Sequence, residues 1–204
     1  MSIRIAILVE GATERALMPT LREFLKARLT SGALPKIDLV TCDGRLPTRD
    51  KLQRMVVNLL SGKNAADAVI ALTDVYTGTR EFTGAIDAKD KMRTWVGNEP
   101  RFFPHVALHD FEAWLLPFWG AIQDLAGSAR ASPGARPELV NHDNPPAHRL
   151  QEVFRTGSKG KAYVKPRDAA RILRDCDLTI AADACPELKS FLNTILRLCE
   201  GPEL

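Results

Sequence analysis

The chain has 204 residues, 45% of them hydrophobic, with 28 Lys or Arg against 25 Asp or Glu and a net charge of +3. That length suits one domain with a small appendage, the apolar content excludes a wholly disordered chain, and the charge balance permits a nucleic-acid partner without arguing for one. Cys42, Cys176, Cys185 and Cys199 lack the paired spacing of a zinc knuckle. No run approaches the roughly 20 apolar residues of a membrane span, and the first apolar run is too short for a signal peptide, so a cytoplasmic protein with no membrane contact and reduced thiols is expected.

IRIAILV, residues 3–9, is β-branched and continuous and predicts a fully buried strand. From Glu14 the period changes: Leu17, Leu21, Phe24, Leu25 and Leu29 recur at three- and four-residue steps, the apolar face of a helix. KIDLVTC (36–42) predicts a second strand, Thr48 to about Leu60 a helix before Gly62, and DAVIALTDV (67–75) a third strand. A charged helix over 86–96 stops at Gly97, and RFFPHVALHDF (101–111) predicts a fourth strand whose Pro104 suits an edge or bulge. A helix starts within FEAWLLPFW. Alternating strands and helices predict an α/β fold, a mostly parallel sheet with helices on both faces. Beyond it, residues 121–145 are rich in Ala, Gly, Ser and Pro and predict a loop, and 146–204 predict helices at 146–154, 166–174 and after Pro186. The expected organisation is an α/β domain over 1–120, the loop, and a helical extension over 146–204 packed on the same domain.

Ligands of an open parallel sheet bind outside the carboxyl ends of its strands. Glu10 and Gly11 follow the first strand, Asp74 ends the third, and Asp110 and Glu112 follow the fourth. Each acid alone also reads as a turn former or helix cap. Brought together, they would repel one another, and a hard divalent cation with oxygen ligands would relieve that repulsion. Gly11 permits a positive φ and a close approach to the backbone, and the helix start after it offers N–H groups to an anion such as phosphate. Glu14 reads equally as a first-turn carboxylate or as a neighbour of the metal.

VEGATERALMPTL (9–21) resembles the first motif of the Toprim superfamily, the catalytic domain shared by topoisomerases, DnaG-type primases and OLD-family nucleases. TDVYTGTREFTG (73–84) is similar to TxxDYYGLPxDFPG, and RFFPHVALHDFEAWLL (101–116) to RFIPYIQLHEFEALLF, both of the Toprim-like bacterial domain-of-unknown-function 4276 family. NPPAHRL, YVKPRDAARI and CPELKSFLNTI resemble that family's tail, so the likeness spans nearly the whole chain. It implies a Toprim-like, Rossmann-like fold. It also implies that Glu10 is the superfamily's metal-ligating or proton-shuttling glutamate and Asp74 the first acid of its Asp-x-Asp motif. The third position of that motif is Tyr76, a departure that removes one usual ligand. Glu112 is the candidate substitute, with Asp110 and Glu81 behind it.

The expected activity is a Mg²⁺- or Mn²⁺-dependent phosphodiesterase acting on DNA or RNA, with Glu10, Asp74 and Glu112 as metal ligands and catalytic groups. The resemblance further implies an ATPase partner and a role in anti-phage defence. The alternative is a non-catalytic binding or regulatory subunit, which Tyr76 favours. The run RTGSKGKAYVKPR (155–167) lacks the Gly-Lys-Ser/Thr of a Walker A loop. Its Lys159, Lys161 and Lys165, with Arg149, read either as a solvated loop or as contacts to a phosphate backbone. His105 and His109 read as core or strand-edge residues before metal ligands, and Trp95, Trp114 and Trp119 as packing residues.

Overall fold

The apolar runs become four strands, β1 (Arg4–Val9), β2 (Lys36–Thr41), β3 (Ala68–Asp74) and β4 (Phe102–Ala107), in a computed structural model that describes residues 2–29, 33–75, 81–140 and 143–204. They form one parallel sheet in the order β2-β1-β3-β4, with Val9 beside Thr41 on one side and Leu72 on the other. The helices are α1 (Met18–Arg28), α2 (Arg49–Leu59), α3 (Ala85–Val96), α4 (Trp119–Ala126), α5 (Pro146–Thr156), α6 (Lys165–Ile172), α7 (Leu178–Ala184) and α8 (Pro186–Leu198). None of the described helices is long and apolar enough to cross a membrane.

Strand side chains alternate between faces, and the sheet has two cores accordingly. Ile5, Ile7, Val9, Ile70 and Leu72 pack with α1 and with the helices that follow β4, including Leu188, Phe191, Leu192 and Ile195 of α8. Ala6, Leu8, Val69 and Ala71 pack on the other face against Leu52 and Val56 of α2 and Ala88 and Met92 of α3. The α/β class with helices on both faces is therefore as expected, and the C-terminal helices share a core with the sheet.

Three local expectations change. The fourth strand ends at Ala107 rather than 111, because Asp110 opens a 3₁₀ segment, Phe111–Phe118, with Ala113 N–H donating to Asp110 O at 3.1 Å. That segment is buried on every side except at Pro117, which suits a tight three-residue turn better than a one-faced α-helix. The helix α4 runs on to Ala126 and ends at Gly127 in the left-handed region, so the non-helical stretch starts there and not at 121. A helix absent from the sequence expectations is α7, whose Asp177 accepts the Thr179 N–H at 2.9 Å as an N-cap. Pro104 does sit on an edge strand, where a missing N–H is tolerated.

Candidate active site

From β1 the chain runs one way to β2 and then returns across β1 to β3, so the strand order reverses between β1 and β3. Such a switch point opens a crevice at the carboxyl ends of the strands. Glu10 leaves β1 and Asp74 closes β3 at that crevice. The register that pairs Val9 with Leu72 brings the Thr73 hydroxyl to donate to Glu10 Oε1, and the Asp74 N–H donates to the same oxygen at 3.2 Å. Glu14 opens the 3₁₀ segment Glu14–Leu17 and is buried. Glu112 is buried within Phe111–Phe118. Lys165, the first residue of α6, donates from Nζ to Glu112 at 3.2 Å to Oε1 and 3.5 Å to Oε2, and the Tyr163 hydroxyl donates to Oε1 at 3.5 Å.

Glu10, Gly11, Glu14, Asp74, Glu112 and Lys165 line one cavity of about 150 Å³, together with Thr13, Gly44 and Phe111. Lys165 is the one cation on its described walls. A second cavity of about 270 Å³ shares Glu10, Gly44 and Asp74 and continues past Arg45, Phe82 and Trp95.

Asp74, Glu10, Glu14 and Asp110 hold their protons more tightly than usual. Burial raises Asp74 well above the ordinary range, and the charges of Glu10, Asp110, Glu112 and Glu14 add to it. Burial also raises Glu10, against the hydrogen bonds from Thr73 and Asp74, and raises Glu14, against nearby backbone N–H groups. Asp110 is raised by burial and by Glu112. Burial opposes the Lys165 ammonium, but Glu112, Asp110 and Asp74 outweigh it and hold its pKa above the usual value. The cluster therefore carries excess negative potential with one ammonium against it.

Two buried carboxylate oxygens, Glu14 Oε2 and Asp110 Oδ1, have no hydrogen-bond partner among the described residues. Unpartnered buried oxygens of this kind suit a hard cation, which binds oxygen alone. Among the described residues, no three His, Cys, Asp or Glu side chains already stand close enough to hold a metal ion. The donor chemistry fits a hard divalent cation, and rotation about side-chain bonds would have to close the carboxylates around it.

The sequence matches the family described as Domain of unknown function (DUF4276) over residues 9–196. The chain belongs to this family. No curated protein matches it in sequence. The C-terminal region of the Burkholderia pseudomallei OLD protein is similar in structure, at 18% identity and a TM-score of 0.50, with 96% of this chain and 98% of that one covered. The C-terminal region of the Xanthomonas campestris pv. campestris OLD protein gives 16% identity and a TM-score of 0.49 over 98% of this chain and 97% of that one. The likeness to the Burkholderia protein covers nearly the whole of both chains, and at this identity it is a likeness of fold.

Within this DUF4276 chain the candidate residues divide. Glu10, Gly11, Glu14, Asp74 and Glu112 face one cavity. Tyr76 lies outside the described residues. Asp110 is buried behind the cavity, its Oδ2 accepting the Ala147 N–H at 3.1 Å, and Glu81 is exposed on the larger cavity. Gly11 does not take a positive φ, and a Cβ there would meet only Glu14 Oε2, at 3.8 Å. Its backbone faces the Glu14 carboxylate, so an anion would find that approach already negative.

The basic group divides as well. Lys165 points to Glu112, whereas the Lys159 ammonium donates to Asp124 O near the end of α4. Arg149 Nε donates to Asn144 O at 3.1 Å, and of the four Lys161 is exposed with no partner among the described residues. His105 is a core residue, with Nε2 3.0 Å from Thr194 Oγ1 and a pKa lowered to about 3 by burial and by Lys89, Arg93 and Arg197. Trp114 is packing, its Nε1 donating to Glu138 at 3.3 Å. Thr73, Arg45 and Tyr163 were not singled out as site residues by the sequence reading. Thr73 is the residue before Asp74 and faces a neighbouring strand end, a position that strand alternation alone does not mark.

Proposed function

We propose that this protein is a Mg²⁺- or Mn²⁺-dependent phosphodiesterase acting on nucleic acid, with its active site at the switch point between β1 and β3. The observation that carries this reading is the small cavity, where Glu10, Glu14, Asp74 and Glu112 face one another across a space whose one described cation is Lys165. The resemblance of residues 9–21 to the Toprim first motif supports it, as does the fold shared with the Burkholderia OLD region.

Glu10, Asp74 and Glu112 would hold the metal, with Glu14 beside them and Asp110 behind. The metal would supply Lewis-acid charge to the phosphodiester. Glu10 would be the proton acceptor for the attacking water, with one of its oxygens fixed by Thr73 and the Asp74 N–H. Lys165 balances Glu112 and faces the phosphate from the α6 side. Lys161, on the chain leading to α6, and Arg149, in α5, guide the nucleic-acid backbone. An ATPase partner and a place in anti-phage defence follow from the Toprim-like resemblance and form part of this proposal.

A second reading has its own observation. The ion pair of Lys165 with Glu112 occupies a candidate ligand, which suits a regulatory subunit that binds nucleic acid without cutting it. The two separate in one experiment. Wild type and Asp74→Asn are incubated with single- and double-stranded DNA and RNA, with Mn²⁺ or EDTA, and their melting curves are recorded. Metal-dependent cleavage by wild type alone supports the phosphodiesterase. Binding without cleavage, and no rise in melting temperature with Mn²⁺, supports the subunit.

A further inference from the structure

The larger cavity has an asymmetry that metal binding does not use. Met92 and Trp95, three residues apart on one face of α3, and Phe82 form an apolar wall, with the Phe82 and Trp95 rings 5.9 Å apart at 39°. The Lys91 ammonium lies 5.9 Å from the Phe82 centroid. Arg45, Thr48 and Glu81 also line it; Arg45 is exposed, and its guanidinium has no ion pair or hydrogen bond among the described residues. Both rings are only half-buried, although apolar side chains of that size are the most favourable to cover.

We infer that this cavity receives one unstacked nucleobase, of a single-stranded or extruded nucleotide, whose phosphate then lies at Glu10 and Asp74. The inference rests on the phosphodiesterase reading and specifies its substrate. About 270 Å³ lies just below the roughly 300–1,000 Å³ of small-molecule sites, room for one ring system and not for a stacked duplex. Aromatic walls take bases of any sequence by stacking, and a guanidinium at the mouth takes the attached phosphate. The shared wall of Glu10, Gly44 and Asp74 joins the base cavity directly to the carboxylate cavity, so a base seated against Trp95 leads its phosphate to the acids.

The test is calorimetric titration, in buffer containing Mn²⁺, with adenosine 5′-monophosphate, uridine 5′-monophosphate and ribose 5-phosphate, which lacks a base. Both nucleotides are expected to bind at least tenfold more tightly than ribose 5-phosphate. Trp95→Leu, which keeps apolar volume without a ring, should weaken nucleotide binding by roughly 5- to 150-fold and leave ribose 5-phosphate unchanged. Trp95→Phe should retain most of the affinity. Equal binding of ribose 5-phosphate, or no nucleotide binding by wild type, overturns the inference, as does wild-type affinity in Trp95→Leu. If Trp95→Leu fails to fold, Trp95→Phe and the three wild-type titrations decide. Cleavage of single-stranded oligonucleotides is assayed on the same preparations. Base-dependent binding without cleavage leaves the base site standing and removes the phosphodiesterase, whereas cleavage without base-dependent binding does the reverse.

Discussion

Replacing Lys165 with Met keeps the apolar stem and removes the one ammonium on the described walls of the carboxylate cavity. An exposed ion pair contributes about 0–1 kcal/mol, and breaking a buried one from one side costs about 3–5 kcal/mol. Here Glu112 is 1% exposed and Lys165 41%, and the contacts of 3.2 and 3.5 Å are long for a charge-assisted hydrogen bond. The cost therefore falls between those limits, at about 2 kcal/mol. For a chain of this length that lowers the melting temperature by about 4–8 °C. The folded pKa of Lys165 is raised, so its contribution is fully present below its unfolded value near 10.4 and is lost only as pH rises through the higher folded value. Measurement at pH 7.5 is thus on the plateau. The variant cluster has one more unit of net negative charge, so Mn²⁺ should bind it more tightly and raise its melting temperature more than that of wild type. At a hundredfold excess over Kd the metal adds about 2.7 kcal/mol, enough to offset the loss. The assay is scanning calorimetry of wild type, Lys165→Met and, as control, Lys161→Met, each with EDTA and with Mn²⁺. A Lys165→Met protein that melts with wild type and responds equally to Mn²⁺ would refute the reasoning.

Asp74→Asn should abolish Mn²⁺-dependent cleavage while stabilising the metal-free protein, because the raised carboxylates Asp74, Glu10, Glu14 and Asp110 bind protons more tightly folded than unfolded. Their contribution is present below the unfolded values near 4 and is lost as pH rises through the raised ones, so the melting-temperature gain of Asp74→Asn over wild type should grow with pH, by at most about 1.4 kcal/mol per unit. The difference is the quantity to measure. His105 acts in the opposite sense in both proteins, since only the unfolded chain protonates it between about 6.5 and about 3. Lys161→Gln should lower the log–log salt slope of nucleic-acid binding by roughly 0.7–0.9, whereas Lys159→Gln, whose ammonium already serves Asp124 O, should change it little; equal effects would show that both reach phosphate. Glu138→Ala should cost about 3 kcal/mol by denaturant titration, because Glu138 accepts the N–H groups of Glu187 and Leu188 at the start of α8 and the Trp114 Nε1–H, and loss below 1 kcal/mol would show that water replaces it.

The residue pattern by itself determined the alternation of strands and helices, since continuous β-branched runs and three- and four-residue apolar spacing are local properties of the chain. It also placed Glu10, Asp74 and Glu112 after apolar runs; Glu10 and Asp74 stand at strand ends, whereas Glu112 lies beyond β4 in the 3₁₀ segment. It marked Gly11 by its place after the first strand and the three lysines by composition, which carries no direction: in the structure Lys165 turns inward to Glu112 while Lys159 serves the end of α4. Tertiary structure decided the strand order. Setting β1 between β2 and β3 makes Glu10 and Asp74 neighbours, and nothing in the period of either strand specifies which strand lies beside it. Tertiary structure also brought Lys165 to an acid 53 residues earlier in the chain, and turned Trp95 from a packing residue into a wall of the cavity that Asp74 shares. The physical reason is common to all three. Hydrophobic burial selects which faces meet, and a polar side chain at the edge of a buried face acquires its partners only when the distant segment that completes that face has docked.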